Sequence, residues 1–328
     1  MSSKAKLIRI LEILEKTDEQ HPLTIPEILS QLKLYGIEAE RKSVAYDMQI
    51  LDDSGYSIVS AGKHLGFYMT EHTFEDYELK IIADAVCSAR FITAKDSLNL
   101  ISKLKSIATP TGEKILSDML YLDNDIKTDN NHSKYTVDKI ITAIKTNKKI
   151  SFKYYDYDSN YKRVLRRNGH LYSVSPYYLV WSGEDYFMLG SPDSHSNLTH
   201  FQISMMVDTA ITDEPRKSRS EIVQLTADFD LGKYIRETVN MFTGEVAPVT
   251  LKCHNSMLRE IRRRFGKNTR ISKIDASHFT TTVKVTHNDG LYQYLMQYSQ
   301  LVQVTSPAHV RDKIKELLSD ALSQYSDG

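Results

Sequence analysis

The feature that most constrains the fold is a series of short, aromatic-rich runs between residues 149 and 206. Ile150, Phe152 and Tyr154 alternate with more polar residues, which is the pattern of a half-buried strand. Further strand-like runs, each following a polar turn, lie at 172–181, 186–190 and 201–205. Strands this short, separated by turns this regularly, predict a small twisted β-barrel or sandwich.

Length and charge bound the possible functions. The 328 residues are enough for two or three domains. Lys and Arg together number 42, as do Asp and Glu, so any nucleic-acid binding must come from local basic patches. Cys87 and Cys253 are far apart and lack the spacing of metal ligands, which favours buried reduced thiols. No apolar run reaches the roughly 18 residues of a membrane span, and the protein is expected in the cytoplasm.

Residues 1–70 predict three short helices followed by a hairpin. Apolar residues recur at i, i+3, i+4 and i+7 from Leu7, and a capping box begins at Thr24. A third helix carries apolar residues on one face and ends near Gly55. Two short apolar runs then flank the turn at 60–64. This order of elements is typical of a winged helix-turn-helix.

The remaining segments are helical or mixed. Residues 73–130 contain apolar helix faces separated by a break at 109–112, and they predict either a dimerisation segment or a simple spacer. Residues 213–328 give the order β-α-β-β-α-β-α, which is that of a small α+β sandwich. The arginine-rich helix at 257–265 is interpreted either as a solvated face or as one wall of an anion site.

Two stretches resemble the bacterial transcriptional regulators that carry a WYL domain. The run YSVSPYYLVW, a turn and then Tyr186, Phe187 and Met188 match the core of that domain, with size and hydrophobicity kept at the three positions that name it. The segment RKSVAYDM at 41–48 is similar to the recognition helix of the same regulators.

The resemblance extends over nearly the whole chain and implies an α+β multidomain protein. Its implied parts are a winged helix-turn-helix DNA-binding domain at 1–70, a helical linker or dimerisation segment at 71–132, a small Sm-like β-barrel forming the ligand-sensing WYL domain at 133–212, and a C-terminal α+β sandwich as an extension domain at 213–328.

A recognition helix places its N-terminal residues in the major groove of DNA. The residues expected at DNA are therefore Thr24, Arg41, Lys42, Ser43, Tyr46, Gln49, Lys63 and His64, where Tyr46 stands in place of a second family arginine. Residues 1–70 nevertheless contain eight basic and ten acidic side chains, whereas DNA-binding modules usually show a basic face. A winged helix that serves only protein contacts is the alternative.

The ligand site implied by the resemblance departs from the family pattern. Gln202, Ser204 and Met205 occupy positions where the family has Arg, Asp and Arg. The residues expected to bind a ligand are Lys153, Arg163, Arg167, Ser175, Tyr177, His200, Gln202, Arg262 and Arg263. Basic and aromatic side chains in this mixture suit a nucleotide or a short nucleic acid, although core packing accounts for some of the tyrosines equally well.

No catalytic motif is present: the sequence has no P-loop, no Gly-x-Ser-x-Gly and no His-Glu-x-x-His. Together with this absence, the resemblance implies a non-enzymatic, homodimeric bacterial transcription regulator without cofactor or metal. Its expected partners are a double-stranded DNA operator and an oligonucleotide or nucleotide effector. The alternative is a WYL accessory protein that binds RNA, single-stranded DNA or a protein partner and modulates an enzyme, without operator binding.

Overall fold

A computed structural model of the chain describes residues 3–325. The backbone separates into two compact units, Met1–Asn131 and His132–Gly328. Among the described residues, no helix is both long and apolar enough to cross a membrane.

The first unit begins with three helices and a hairpin. The elements are α1 (Ser3–Leu14), α2 (Ile25–Leu34), α3 (Arg41–Asp53), β1 (Ile58–Gly62) and β2 (Gly66–Met69). The sequence predicts a turn at 60–64, but strand β1 continues to Gly62. The tip of the hairpin therefore consists of only residues 63–65.

The hairpin is held against the entry to α2 by a pair of backbone hydrogen bonds. Leu23 N–H donates to the Phe67 carbonyl at 2.9 Å, and Phe67 N–H donates to the Leu23 carbonyl at 2.8 Å. Gly66 permits this approach, because its φ is +106° and an added Cβ would lie 2.5 Å from the Leu23 carbonyl carbon. Buried aliphatic side chains of all three helices, including Ile10, Ile28 and Val44, form the core beneath.

Three more helices complete the first unit. They are α4 (Asp76–Ser88), α5 (Ala94–Ile107) and α6 (Pro110–Asp118). The predicted break at 109–112 is a direct change from one helix to the next, because the Thr109 hydroxyl accepts from Gly112 N–H and caps α6. Leu79, Ala83, Ala108 and Leu116 are buried together, so the apolar faces of these helices pack partly on one another.

The second unit opens with one helix and a curled antiparallel sheet. The elements are α7 (Ser133–Thr146), β3 (Lys148–Tyr157), β4 (Arg163–Leu165), β5 (Tyr172–Ser182), β6 (Asp185–Pro192), β7 (Thr199–Gln202) and β8 (Met206–Pro215). The central order is β8-β3-β5-β6-β7, with β4 on the far end of β3. The pairings between the described strands do not join β7 to β8, so the sheet is a half-barrel.

One predicted strand is shorter than expected. The run at 201–205 leaves the sheet after Gln202, because Ile203–Met205 forms a 3-10 turn before β8 begins. Helix α7 closes the concave side of the half-barrel, where Ile140 and Ala143 pack with Ile150 and Phe152.

The rest of the second unit is a four-stranded sheet with helices. A short helix, α8 (Leu231–Glu237), precedes β9 (Val246–His254), α9 (Leu258–Phe265), β10 (Ile271–Lys273), β11 (His278–Thr286), α10 (Asp289–Gln297), β12 (Val302–Ser306) and α11 (Ala308–Ser323). The strand order is β10-β11-β9-β12. From β9 onward, strands and helices follow the β-α-β-β-α-β-α order predicted from the sequence.

Candidate functional site

The outward face of α3 carries most of the residues predicted to reach DNA. Arg41, Lys42, Tyr46 and Gln49 are exposed, and the Tyr46 side chain is 67% exposed. The opposite face of the helix is buried in the core through its aliphatic side chains. An exposed tyrosine beside two cations is an arrangement able to contact both bases and phosphates.

The acidic residue in the middle of α3 points away from this face. The Asp47 carboxylate lies 2.8 Å from the Lys6 ammonium of α1, and the two side chains are only 10% and 14% exposed. Lys6 also donates a hydrogen bond to the Ser43 hydroxyl, so Ser43 is held within the unit. Sequence reasoning overlooked Lys6, because nothing in the spacing of α1 and α3 indicates this pairing.

The start of α2 is already occupied by an internal anion. The Glu27 carboxylate accepts from the Thr24 hydroxyl at 2.6 Å and from the Thr24 N–H at 2.7 Å. These bonds hold the pKa of Glu27 below its usual value. The predicted phosphate contact at Thr24 therefore has to compete with a carboxylate.

The tip of the β1–β2 hairpin presents the last two predicted DNA contacts. Lys63 and His64 are both exposed. His64 has a φ of +71°, the left-handed conformation that the tight turn requires.

In the half-barrel, three of the predicted cations lie on β3, on β4 and in the turn that follows β4. Lys153 lies 2.9 Å from Asp208, and the Arg163 guanidinium lies 4.8 Å from the centre of the Tyr155 ring. Arg167 is exposed in a left-handed turn with a φ of +48°.

Arg166 is not among the predicted ligand-binding residues, but it contacts both a carboxylate and an aromatic ring. Its guanidinium lies 2.8 Å from Asp156 and 5.1 Å from the centre of the Tyr154 ring. Burial raises the pKa of Tyr154 to about 12, so this phenol stays neutral.

Ser175 and Tyr177 have structural partners inside the second unit. The Ser175 hydroxyl accepts from Lys217 N–H at 3.0 Å, and the Tyr177 hydroxyl donates to the Lys217 carbonyl at 2.7 Å. The Arg216 guanidinium covers the Tyr177 ring at 5.0 Å. The basic run from Arg216 to Arg219 was the available sequence signal for these neighbours.

His200 is the centre of a half-buried hydrogen-bond network. Its Nδ1 lies 2.7 Å from the Met241 carbonyl, and its Nε2 lies 2.8 Å from the Tyr234 hydroxyl. A carbonyl only accepts, so Nδ1 carries the proton and Nε2 accepts from the tyrosine. Burial lowers the pKa of His200, which keeps the ring neutral.

Gln202 lies next to this network at the end of β7. Its backbone N–H donates to the Tyr154 hydroxyl at 3.0 Å, and its side chain is half-buried. Met205, at the second position where the family has an arginine, is likewise half-buried. Neither side chain supplies the positive charge that its family counterpart has.

The two predicted arginines of the C-terminal part lie on α9. Both Arg262 and Arg263 are exposed, and Arg263 is paired with Glu260 at 2.8 Å. No hydrogen bond or ion pair found between the described residues links either arginine to the half-barrel. The half-barrel residues and the α9 arginines thus form separate groups in the structure.

Comparison with known domain families identifies two parts of the chain. Residues 135–211 match the WYL domain, and residues 245–322 match the WCX domain. The chain therefore contains both domains, and the half-barrel with α7 corresponds to the first. No curated protein matches the chain in sequence.

Solved structures give two further similarities. One is to Proteasome accessory factor B/C (PafBC) of Arthrobacter aurescens, at 15% identity with a TM-score of 0.30, over 99% of this chain and 49% of that chain. The chain thus spans about half the length of that protein. The other is to a CRISPR Cas-related protein, at 12% identity with a TM-score of 0.39, over 98% of this chain and 84% of that chain.

Proposed function

We propose that this protein is a DNA-binding transcription regulator of the bacterial cytoplasm, and a binding protein rather than an enzyme. Residues 1–70 form a winged helix-turn-helix, and the WYL domain senses a nucleic-acid-like or nucleotide ligand. Two copies of the chain associate through the helical segment 71–132.

The observation that carries the proposal is the composition of the outward face of α3. Its exposed side chains in the first turns are those of Arg41, Lys42, Ala45 and Tyr46. Asp47 is turned inward and neutralised by Lys6. The unit is acidic in total, but this face is basic where a recognition helix enters the major groove. Lys63 at the hairpin tip adds a cation suited to the phosphate backbone.

The proposed effector site lies on the β3–β4 edge of the half-barrel. The Arg166 guanidinium lies over the ring of Tyr154, which packs against Phe152 and Tyr172, so a cation and several aromatic rings meet there. That combination suits phosphates and stacked bases. Because Gln202 and Met205 lack charge, the effector is expected to bind weakly compared with a fully charged pocket.

The acidic excess of residues 1–70 favours a second candidate. In that candidate the protein is an accessory factor that binds RNA, single-stranded DNA or a protein partner and modulates an enzyme. The two functions differ in whether duplex DNA is bound in a sequence-dependent way.

A gel-shift experiment tests the proposal. The full-length protein is titrated against the DNA upstream of its own coding sequence and against a shuffled duplex of the same length and composition. Preferential binding of the upstream DNA supports the regulator. Equal binding of both duplexes, or none, favours the accessory factor.

A further inference from the structure

A cleft in the C-terminal part of the second unit has no role in the function proposed above. It lies between α8, the loop after α9, and β11, and its volume is about 520 Å³. That size falls within the range of small-molecule sites. Its walls include Phe265, Gly266, Asn268, Thr269 and Thr282 in addition to charged residues.

The charges of the cleft are strongly unbalanced. Five cations line it, whereas Glu237 is its one lining carboxylate; the cations are Lys233, Arg236, Lys267, Arg270 and Lys284. Over residues 3–325, none of the five is in an ion pair. Three lysines of the half-barrel differ in this respect, since Lys148, Lys149 and Lys153 are each paired with a carboxylate.

Three hydrogen bonds from side chains to backbone carbonyls hold the walls of the cleft in place. The Arg264 guanidinium donates to the carbonyls of Arg236 at 3.3 Å and Thr238 at 3.0 Å, which ties α9 to α8. The Thr281 hydroxyl donates to the Arg270 carbonyl at 2.7 Å and fixes the start of β10. These hydrogen bonds hold the backbone of the walls without using the charged groups of the five lining cations.

Gly266 lines the cleft next to the side chain of Arg236. It ends α9 with a φ of +103°, a conformation that side chains with a Cβ rarely adopt. An added Cβ would lie 3.6 Å from the Cδ of Arg236, so the arginine stem passes directly over this glycine. The Thr269 hydroxyl donates to the Gly266 carbonyl at 2.7 Å and closes the turn.

We propose that this cleft binds an oligophosphate, meaning an anion with several phosphate groups. These groups are joined directly in inorganic triphosphate and nucleoside triphosphates, and spaced by sugars in a nucleic-acid backbone. Five unpaired cations around one space repel each other, and a ligand with several negative charges relieves that repulsion. The side-chain amide of Asn268 provides a neutral donor for a further phosphate oxygen.

A second cleft, of about 370 Å³, provides a contrast on the same helix. Lys233 and Glu237 of α8 also line it, but its other charged residues are Asp228, Asp230 and Glu245. An anion is disfavoured there by like charge, so α8 separates an anion-attracting cleft from an anion-repelling one. None of the residues lining the basic cleft belongs to the WYL domain, and the proposed oligophosphate site is separate from the effector site proposed above.

Calorimetric titration of the full-length protein tests the proposal at low ionic strength. The probes are inorganic triphosphate, ATP and an oligothymidylate. We expect Arg236→Gln with Lys267→Gln to weaken binding of the tightest probe by at least about tenfold, since charge-assisted hydrogen bonds are lost. The matched control is Arg259→Gln with Lys315→Gln, which removes one exposed arginine and one exposed lysine from other helices of the same domain. The control should retain the affinity.

For probes whose binding Arg236→Gln with Lys267→Gln weakens, equal affinity for triphosphate and ATP supports recognition of the phosphate chain alone, and tighter oligothymidylate binding supports a nucleic-acid backbone. Probe binding that this double variant leaves unchanged takes place at another site and overturns the proposal. Glu237→Gln should increase the affinity, because the one lining carboxylate is removed. Absence of binding by all three probes, or an equal loss in the control, overturns the proposal, and neither result bears on operator binding.

Discussion

The Lys6 ammonium lies 2.8 Å from the Asp47 carboxylate, in an ion pair whose side chains are 14% and 10% exposed. This pair joins α1 to the proposed recognition helix. It also removes the negative charge of Asp47 from the face that carries Arg41 and Lys42. The stability of the N-terminal unit and its proposed DNA contact therefore depend on the same ion pair.

Breaking this ion pair should lower the free energy of unfolding substantially. Lys6→Ala leaves a buried carboxylate without its cation, and we expect it to lower the free energy of unfolding by about 3 kcal/mol. Glu12→Ala, which removes a half-exposed partner of Arg9 on the same helix, should cost less than about 1 kcal/mol. Urea denaturation measures both. Lys6→Met with Asp47→Leu should recover most of the loss; equal effects of the two single variants would contradict the account.

The half-buried imidazole of His200 should make the stability of the protein depend on pH. Its pKa in the folded state is lowered by burial, whereas in the unfolded chain it is near the ordinary value of 6.5. The folded state thus binds fewer protons, so this contribution to stability is complete above pH 6.5 and is lost as the pH falls toward the folded pKa.

Thermal unfolding at several pH values measures this effect. Between about pH 7.5 and about pH 5.5 the Tm of the wild type should fall more than that of His200→Gln. His195→Gln, at an exposed histidine of the same unit, should follow the wild type. A His200→Gln profile parallel to the wild type would show that His200 is not the titrating group.

Restoring the two missing charges should strengthen the proposed effector site. Gln202→Arg with Met205→Arg adds two cations at half-buried positions, one of them at the residue whose N–H donates to the Tyr154 hydroxyl. Binding of a short single-stranded DNA should tighten by at least about tenfold. Thr142→Arg with Thr146→Arg adds the same charge on the exposed face of α7. Fluorescence anisotropy compares the two variants. A similar gain in DNA affinity in both variants would mean that the added charge attracts DNA nonspecifically, and would contradict the proposed site.

The proposed dimer surface includes two exposed apolar side chains on α4. Tyr77 and Ile81 are 64% and 62% exposed and lie one helical turn apart on the same face. We predict that Tyr77→Glu with Ile81→Glu shifts the full-length protein from dimer to monomer in light scattering at micromolar concentration. Val223→Glu, at a residue that is 65% exposed in the second unit, should leave the dimer intact. A wild-type monomer would exclude this interface.

The elements predictable from sequence are those with a local signal. Alternation around Phe152 predicts β3, and the capping box at Thr24 predicts the start of α2. The sequence at 109–112 predicts a break, but helix α6 begins at Pro110 after the capping residue Thr109. Proline is common at the first position of a helix, so it can begin a helix as well as end one.

The sites could be predicted only in part, because their residues come from distant segments. Tyr234 and Met241 reach His200 across more than thirty residues, and no local pattern indicates that contact. The basic cleft gathers Lys233, Lys267 and Lys284 from a helix, a loop and a strand, each of which carries unremarkable charge by itself.

The central claim is that the basic face of α3 and the hairpin tip contact duplex DNA. The most direct measurement is fluorescence anisotropy of full-length protein with its upstream DNA over a range of salt concentrations. Arg41→Ala, Lys42→Ala and Lys63→Ala together should weaken binding and make the slope of log affinity against log salt less steep by about 2.7, if each cation contacts one phosphate. The control is Lys95→Ala, Lys103→Ala and Lys114→Ala, which removes three exposed lysines of α5 and α6 and should preserve both affinity and slope. An unchanged affinity and slope in the Arg41, Lys42 and Lys63 triple variant would contradict the account.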